Sequence, residues 1–178
     1  IEMGERKTSD SRKTRNNNIQ LVLLDWEKAF DKIDQEALFE AMSRMGIDEK
    51  LIRLTKQLYK NPTFRVEMGP EMGEQTSEWK TQKTGIRQGC TLSPYLLLIL
   101  MTAIFHDVNE DKVLQEDLYE HRPPNHGFDE VLYADDTIIF STDARTLERL
   151  LHKIEEIAQQ YGLKLNKKKC EVLNTNPE

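Results

Sequence analysis

Cysteine is scarce in this chain: among 178 residues only Cys90 and Cys170 carry thiols, far apart and without a companion Cys or His at zinc-ligand spacing. That spacing excludes a zinc finger or ribbon, and so few thiols suit a reducing, intracellular compartment. Long apolar runs are missing as well. The most apolar, Leu96 to Phe105, is about half the roughly 20 residues a membrane span requires, so a buried helix is expected there. The first residues lack the succession of basic, apolar and small side chains that marks a signal peptide. Positive charge is not in excess either. A formal net charge of −6 argues against a protein that simply coats nucleic acid, which needs clustered Lys and Arg on an accessible face. Internal repeats and low-complexity tracts are absent.

What is present describes a globular chain. Hydrophobic residues at 38% and charged residues at 31% place it among soluble folded proteins, and its length suits one domain with a sizeable core. Residues 1–18 are polar without apolar periodicity and read as an arm, 19–173 as the folded domain, and 174–178 as a tail. Local basic groups do occur: Lys7, Arg12, Lys13 and Arg15 in the arm, and Lys167, Lys168 and Lys169 near the end. Solvated surface accounts for both groups as well as a binding role does.

The pattern along the chain predicts the elements. Ile19 to Leu24 is a short apolar run suited to a central strand covered on both faces. Asp34 caps a helix with apolar positions at Ala37, Leu38, Ala41, Met42 and Met45, closed by Gly46. Asp48 caps the next, with a stripe of Leu51, Ile52, Leu54, Leu58 and Tyr59. Thr63 to Met68 and Ser77 to Thr84 read as an extended pair, and Ser93-Pro94 as the start of the apolar helix. Residues 109–127 are polar, with Pro123 and Pro124, and read as a connection. Two β-like runs, Phe128 to Tyr133 and Thr137 to Ser141, flank Asp135 and Asp136. A helical stripe from Leu147 to Ala158 closes at Gly162, with a last strand or two over 163–173. This order predicts an α+β fold, a sheet with helices packed on one face; doubly wound α/β is the alternative.

The carboxylates carry the chemistry. Asp25 ends an apolar strand, where a charge needs a cation or hydrogen bonds; alone it reads as a cap or an ion-pair partner. Asp135 and Asp136 sit side by side between strands, and like charges so close resist joint ionisation unless something positive lies beside them. Mg²⁺ meets that need, since it takes hard oxygen ligands and commonly uses one or two carboxylates plus substrate phosphates.

The string Tyr133-Ala134-Asp135-Asp136 resembles the acidic hairpin of reverse transcriptases, and Leu24-Asp25 through Ala29-Phe30-Asp31 resembles their first metal-binding motif. Gly85 through Pro94 is similar to the substrate-contacting motif of those enzymes, in the Arg87-Gln88-Gly89 form common in non-LTR (LINE-type) retrotransposons. Group II intron enzymes share much of the pattern but more often carry Pro before the Gln-Gly. Gly162-Leu163-Lys164-Leu165-Asn166 through Lys169 looks like the fourth motif. The order of the motifs agrees with the family over 19–173.

The resemblance implies a polymerase palm that performs RNA-directed DNA synthesis, with Asp25 and Asp135 holding two Mg²⁺ (or Mn²⁺) ions and Asp136 supporting them. It implies that Phe30 packs under the incoming sugar and excludes a 2′-hydroxyl, that Arg87, Gln88 and Gly89 lie against nucleotide and template, and that Lys169 donates a proton to the leaving pyrophosphate. The implied partners are an RNA template, a DNA primer and deoxynucleoside triphosphates, and a nuclear location suits a LINE-type element. It also implies that full fingers and thumb are absent. The chain is thus expected to be a fragment, with 1–18 an arm or a remnant of the fingers, and weakly active or inactive alone. A nucleotide cyclase would explain the carboxylates but not the Arg-Gln-Gly segment, and a non-catalytic remnant remains the third reading.

Overall fold

The computed structural model describes residues 18–69, 76–124 and 126–175. In chain order they form β1 (Gln20–Leu24), α1 (Ala29–Lys32), α2 (Gln35–Arg44), α3 (Glu49–Leu58), β2 (Thr63–Phe64), β3 (Lys80–Thr81), α4 (Ser93–Asn109), α5 (Lys112–Glu120), β4 (Glu130–Tyr133), β5 (Asp136–Ser141), α6 (Ala144–Gln160) and β6 (Glu171–Asn174). Four strands make one antiparallel sheet in the order β4-β5-β1-β6, and β2 with β3 makes a separate hairpin. The arm lies outside the described residues, except Asn18, as does the tail beyond Thr175. Two residues assigned to the tail from sequence are part of the sheet edge: Asn174 belongs to β6, and Thr175 N–H donates to Ile19 O at 3.0 Å.

Alternation along the strands decides the layers. Val22 and Leu24 of β1 and Thr137 and Ile139 of β5 are buried, and the apolar members join the core formed by α2, α4 and α6. The opposite face is only partly closed: Leu21, Leu23 and Ile138 are half-buried there. Phe140, on that same face, is covered by Phe128, whose ring centroid lies 5.6 Å away, edge to face. β1 is therefore interior to the sheet, as expected, but not covered on both faces. The helices do lie on one face, and the fold is α+β rather than doubly wound.

Local chemistry explains the helix ends. The Asp34 carboxylate accepts from Ala37 N–H at 2.9 Å, Asp48 from Lys50 N–H at 2.8 Å and Asp143 from Thr146 N–H at 2.8 Å, each satisfying a first-turn donor. α4 is apolar on nearly every side and buries Leu96, Leu97, Leu100, Met101 and Ile104. Its N-cap is Leu92, without a side-chain cap bond, so Ser93 lies inside the helix rather than capping it. Of the α3 stripe Ile52 and Tyr59 are buried; Leu51, Leu54 and Leu58 face solvent. α5 occupies the stretch that reads as a connection, capped by Asp111 and anchored by Leu114 and Leu118. Two apolar anchors in nine residues give too little periodicity to betray a helix from sequence.

A polar staple crosses the helical layer. Arg44 at the end of α2 donates to Asp107 of α4 at 2.9 Å and to the Tyr161 hydroxyl at 2.8 Å, and that hydroxyl donates to Asp107 at 2.8 Å. The hydrogen bond from Arg44 holds the Asp107 carboxyl below the usual range, while burial, with Asp107 beside it, pushes Tyr161 up to about 12. Among the described residues no helix is long and apolar enough to cross a membrane.

Candidate active site

Three carboxylates gather at one end of the sheet because β1 and β5 are neighbours. Their ladder runs from Gln20↔Ser141 to Leu24↔Thr137, so Asp25 and Asp136 emerge together, one step beyond its last pair. Asp135 occupies the turn between β4 and β5, which pair through Tyr133↔Asp136. Ala134 in that turn has φ 56, a left-handed conformation that costs a residue with a Cβ about 1–2 kcal/mol. Asp25 is half-buried; Asp135 and Asp136 are exposed.

None of the ion pairs among the described residues engages these carboxylates. Hard oxygen donors, left unneutralised side by side, fit a divalent ion. They are not drawn tight. Among the described residues the group whose ligand atoms all lie within 4.8 Å of one another is His106, Asp107 and Glu110, and there Asp107 already serves Arg44 and Tyr161.

The turn after Asp25 is clasped from two sides. Lys28 takes a left-handed conformation (φ 51), and the chain turns through α1. On one side Gly85 N–H donates to Ile33 O at 2.7 Å and Ile86 N–H to Phe30 O at 2.6 Å. Thr84 Oγ1 donates to Asp31 O at 3.1 Å. On the other, Asp34 N–H donates to Tyr161 O at 2.9 Å, and Gly162 packs so closely on the Lys32 carbonyl that an added Cβ would stand 2.5 Å from it. The clasp sets Phe30 in a cleft of ≈ 550 Å³ with Gln88, Gly89 and Cys90.

The Gln88 side chain donates to Asp31 Oδ1 at 3.2 Å, so the residue after Phe30 holds the glutamine beside it. Arg87 is directed elsewhere: its guanidinium donates to Leu58 O at 3.0 Å and lies 5.9 Å from the Tyr59 ring centroid, which caps the C-terminus of α3. Lys169 is exposed in the turn before β6, its N–H donating to Asn166 O at 2.8 Å. The structure thus brings Phe30, Gln88 and Gly89 to one cleft, sets the aspartates at the sheet end, and lays the Arg87 guanidinium against the end of α3, where Arg87 borders a second cleft with Asp31 and Gln88.

Sequence reading missed three supporting residues: Asp31, Tyr59 and Trp26. Buried Tyr59 places its hydroxyl 3.4 Å from Arg87 N–H and 3.4 Å from Ser93 Oγ, tying the glutamine loop to the start of α4. Asp31 was visible as the acid that closes Ala29-Phe30-Asp31. Tyr59 had only a place in a helical stripe, which says nothing of its hydroxyl.

The family model described as reverse transcriptase (RNA-dependent DNA polymerase) matches residues 3–178. The chain belongs to the reverse transcriptase family. Among curated proteins it is similar to the retrovirus-related Pol polyprotein from type-1 retrotransposable element R2 of Nasonia vitripennis. The two are 25% identical over 166 residues, which is 89% of this chain and 14% of that protein. The R2 counterpart from Popillia japonica is 26% identical over 159 residues, 89% of this chain and 21% of the relative. The chain thus spans less than a quarter of these relatives, and its similarity lies with the R2 type of non-LTR element. Among solved structures, apo telomerase from Candida tropicalis truncated from its C-terminal domain superposes with TM-score 0.68 at 20% identity, over 90% of this chain and 31% of that one. Telomerase from Candida tropicalis in complex with a fragment of telomeric RNA gives TM-score 0.59 at 20% identity, covering 93% and 27%. These two show a shared fold.

Proposed function

We propose that this chain is the catalytic palm segment of an RNA-directed DNA polymerase, which extends a DNA primer on an RNA template by two-metal nucleotidyl transfer during retrotransposition. The observation that carries the reading is the adjacency of β1 and β5, which sets Asp25 beside Asp136 with Asp135 in the turn between β4 and β5. Asp25, Asp135 and Asp136 would hold Mg²⁺ or Mn²⁺, which activates the primer 3′-hydroxyl and neutralises charge at the triphosphate. Phe30 closes the floor of the cleft where the sugar would sit. Gln88, held by Asp31, and Gly89, with no side chain to obstruct, border the nucleotide. Exposed Lys169 is free to swing toward the leaving pyrophosphate. Arg87 acts here by fixing the loop that carries Gln88 to α3.

The test is thermal melting of the chain across millimolar Mn²⁺. Ion binding to the folded form raises stability by mass action, about 2.7 kcal/mol at a hundredfold excess over Kd, and Asp135→Asn should remove most of that gain. Indistinguishable melts with and without Mn²⁺, together with a titration that shows no site, would refute the metal assignment. Since the chain spans so little of its R2 relatives, polymerisation itself is measured in the longer parent protein, where Asp136→Asn should strongly reduce synthesis.

A further inference from the structure

The ladder between β1 and β5 stops at Leu24↔Thr137, one residue short of the carboxylates on either strand. Beyond it the bond that ties the end of β1 to β5 is a side-chain one. The indole N–H of Trp26 lies 3.4 Å from Thr137 Oγ1, and both residues are buried, Trp26 at 6% and Thr137 at 1% exposure. Alternation puts this pair on the helix-facing side of the sheet, directly beneath Asp25 and Asp136. On the other flank the 162–166 segment replaces β6. Asn166 N–H donates to Asp25 O at 2.8 Å, Glu27 N–H to Lys164 O at 2.8 Å, and Trp26 bridges Leu165.

Asp25 is thus held by backbone on one side and through a single indole on the other. A buried indole N–H and a buried hydroxyl each need a partner, so the bond is directional where packing alone is not. Its position decides what it governs: a shift of β1 against β5 at this point changes the distance between Asp25 and Asp136 before it changes anything else.

We infer that Trp26 and Thr137 are positioning residues, whose hydrogen bond sets the spacing of the carboxylates and hence the affinity of the chain for a divalent ion. The inference rests on the metal site proposed above. Trp26→Phe keeps an apolar ring but loses the donor, Thr137→Val keeps the shape but loses the acceptor, and Thr137→Ser keeps the hydroxyl.

The measurement is Mn²⁺ affinity by electron paramagnetic resonance of the free ion, made beside metal-free melting of each variant. Both deletions should weaken Mn²⁺ binding by roughly two- to tenfold, the range expected for one hydrogen bond, and the double variant no further than either single one. Thr137→Ser should bind like the wild type. Deletion variants that melt lower without metal yet bind Mn²⁺ as tightly as the wild type would reduce the pair to core packing and overturn the inference, as would additive losses in the double variant. A wild-type chain with no Mn²⁺ site overturns the site and the inference together, an outcome distinct from the first.

Discussion

Two glycines with almost the same backbone conformation should behave very differently when a methyl group is added. Gly85 has φ +79 and Gly89 φ +78, so alanine at either pays the left-handed penalty of about 1–2 kcal/mol, offset equally by a stiffer unfolded chain. Around Gly89 nothing lies within 4 Å of the new Cβ; at Gly85 it would stand 2.4 Å from Phe30 O and 2.7 Å from Asp31 C and Cα. These are backbone atoms that no rotamer change can remove. The turn and the 84–86 segment must part, and the bonds from Gly85 N–H to Ile33 O and from Ile86 N–H to Phe30 O, at 2.7 and 2.6 Å, lengthen or break. At about 1 kcal/mol net per bond, and more where a buried group is orphaned, Gly85→Ala should cost roughly 2–4 kcal/mol more than Gly89→Ala. Against a total of about 5–15 kcal/mol for a domain, that is easily resolved. Urea unfolding followed by circular dichroism reads it as a lower midpoint at unchanged slope. Gly162→Ala, with φ +82 and Lys32 O at 2.5 Å, should fall with Gly85→Ala. If Gly85→Ala and Gly89→Ala unfold within about 0.5 kcal/mol of each other, the clasp is not a steric constraint.

Other outcomes follow from charge and shape. The Asp107 carboxyl is held low by its hydrogen bond from Arg44, so its contribution is present above the unfolded carboxylate range and is lost as pH falls through the depressed folded value; Arg44→Met should flatten the acid limb of a stability profile, and an unaltered limb would refute the staple. Glu130 is shifted the other way, upward, by burial and by the nearby Asp129 charge, so it opposes folding once ionised. Glu130→Gln should therefore stabilise the chain at neutral pH, with the advantage shrinking as pH falls through the raised folded value and gone below the unfolded carboxylate range, and equal urea midpoints at pH 7 would contradict this. In a chain extended to the length of its R2 relatives Phe30→Val should raise the ratio of ribonucleotide to deoxyribonucleotide catalytic efficiency, at a folding cost of roughly 1–3 kcal/mol; an unchanged ratio would make Phe30 a core residue only.

Legibility in the sequence followed physical locality. Helices α2 and α3 announce themselves through Asp34 and Asp48, and α6 through its periodic apolar positions, because a cap and a stripe are short-range facts. The motif residues Asp25, Asp135 and Asp136 were legible by type and order, and their convergence required the β1–β5 pairing that only the fold supplies. The reach of Arg87 toward α3 was invisible, since nothing in the sequence places Leu58 O beside its guanidinium. Exposure of Leu51, Leu54 and Leu58 was hidden for the same reason: periodicity gives a face its apolar character and says nothing of whether another element covers it.

The position of β1 in the middle of the sheet has a consequence for the order of events during synthesis. It is made first among the strands, yet its neighbours come last: the Trp26 and Thr137 pair spans 111 residues, and Ile19 meets Thr175 across 156. At about 5–20 residues per second the ribosome leaves Leu21 to Leu24 without a strand partner for roughly 5–20 s. Helices α2, α3 and α4, with α5 after them, are what can shelter it in that interval, and such long loop closures slow folding further. Nascent chains of this protein therefore pass through a stage in which an apolar strand is unpaired on both edges, and chaperone binding should concentrate between the emergence of α4 and that of β5.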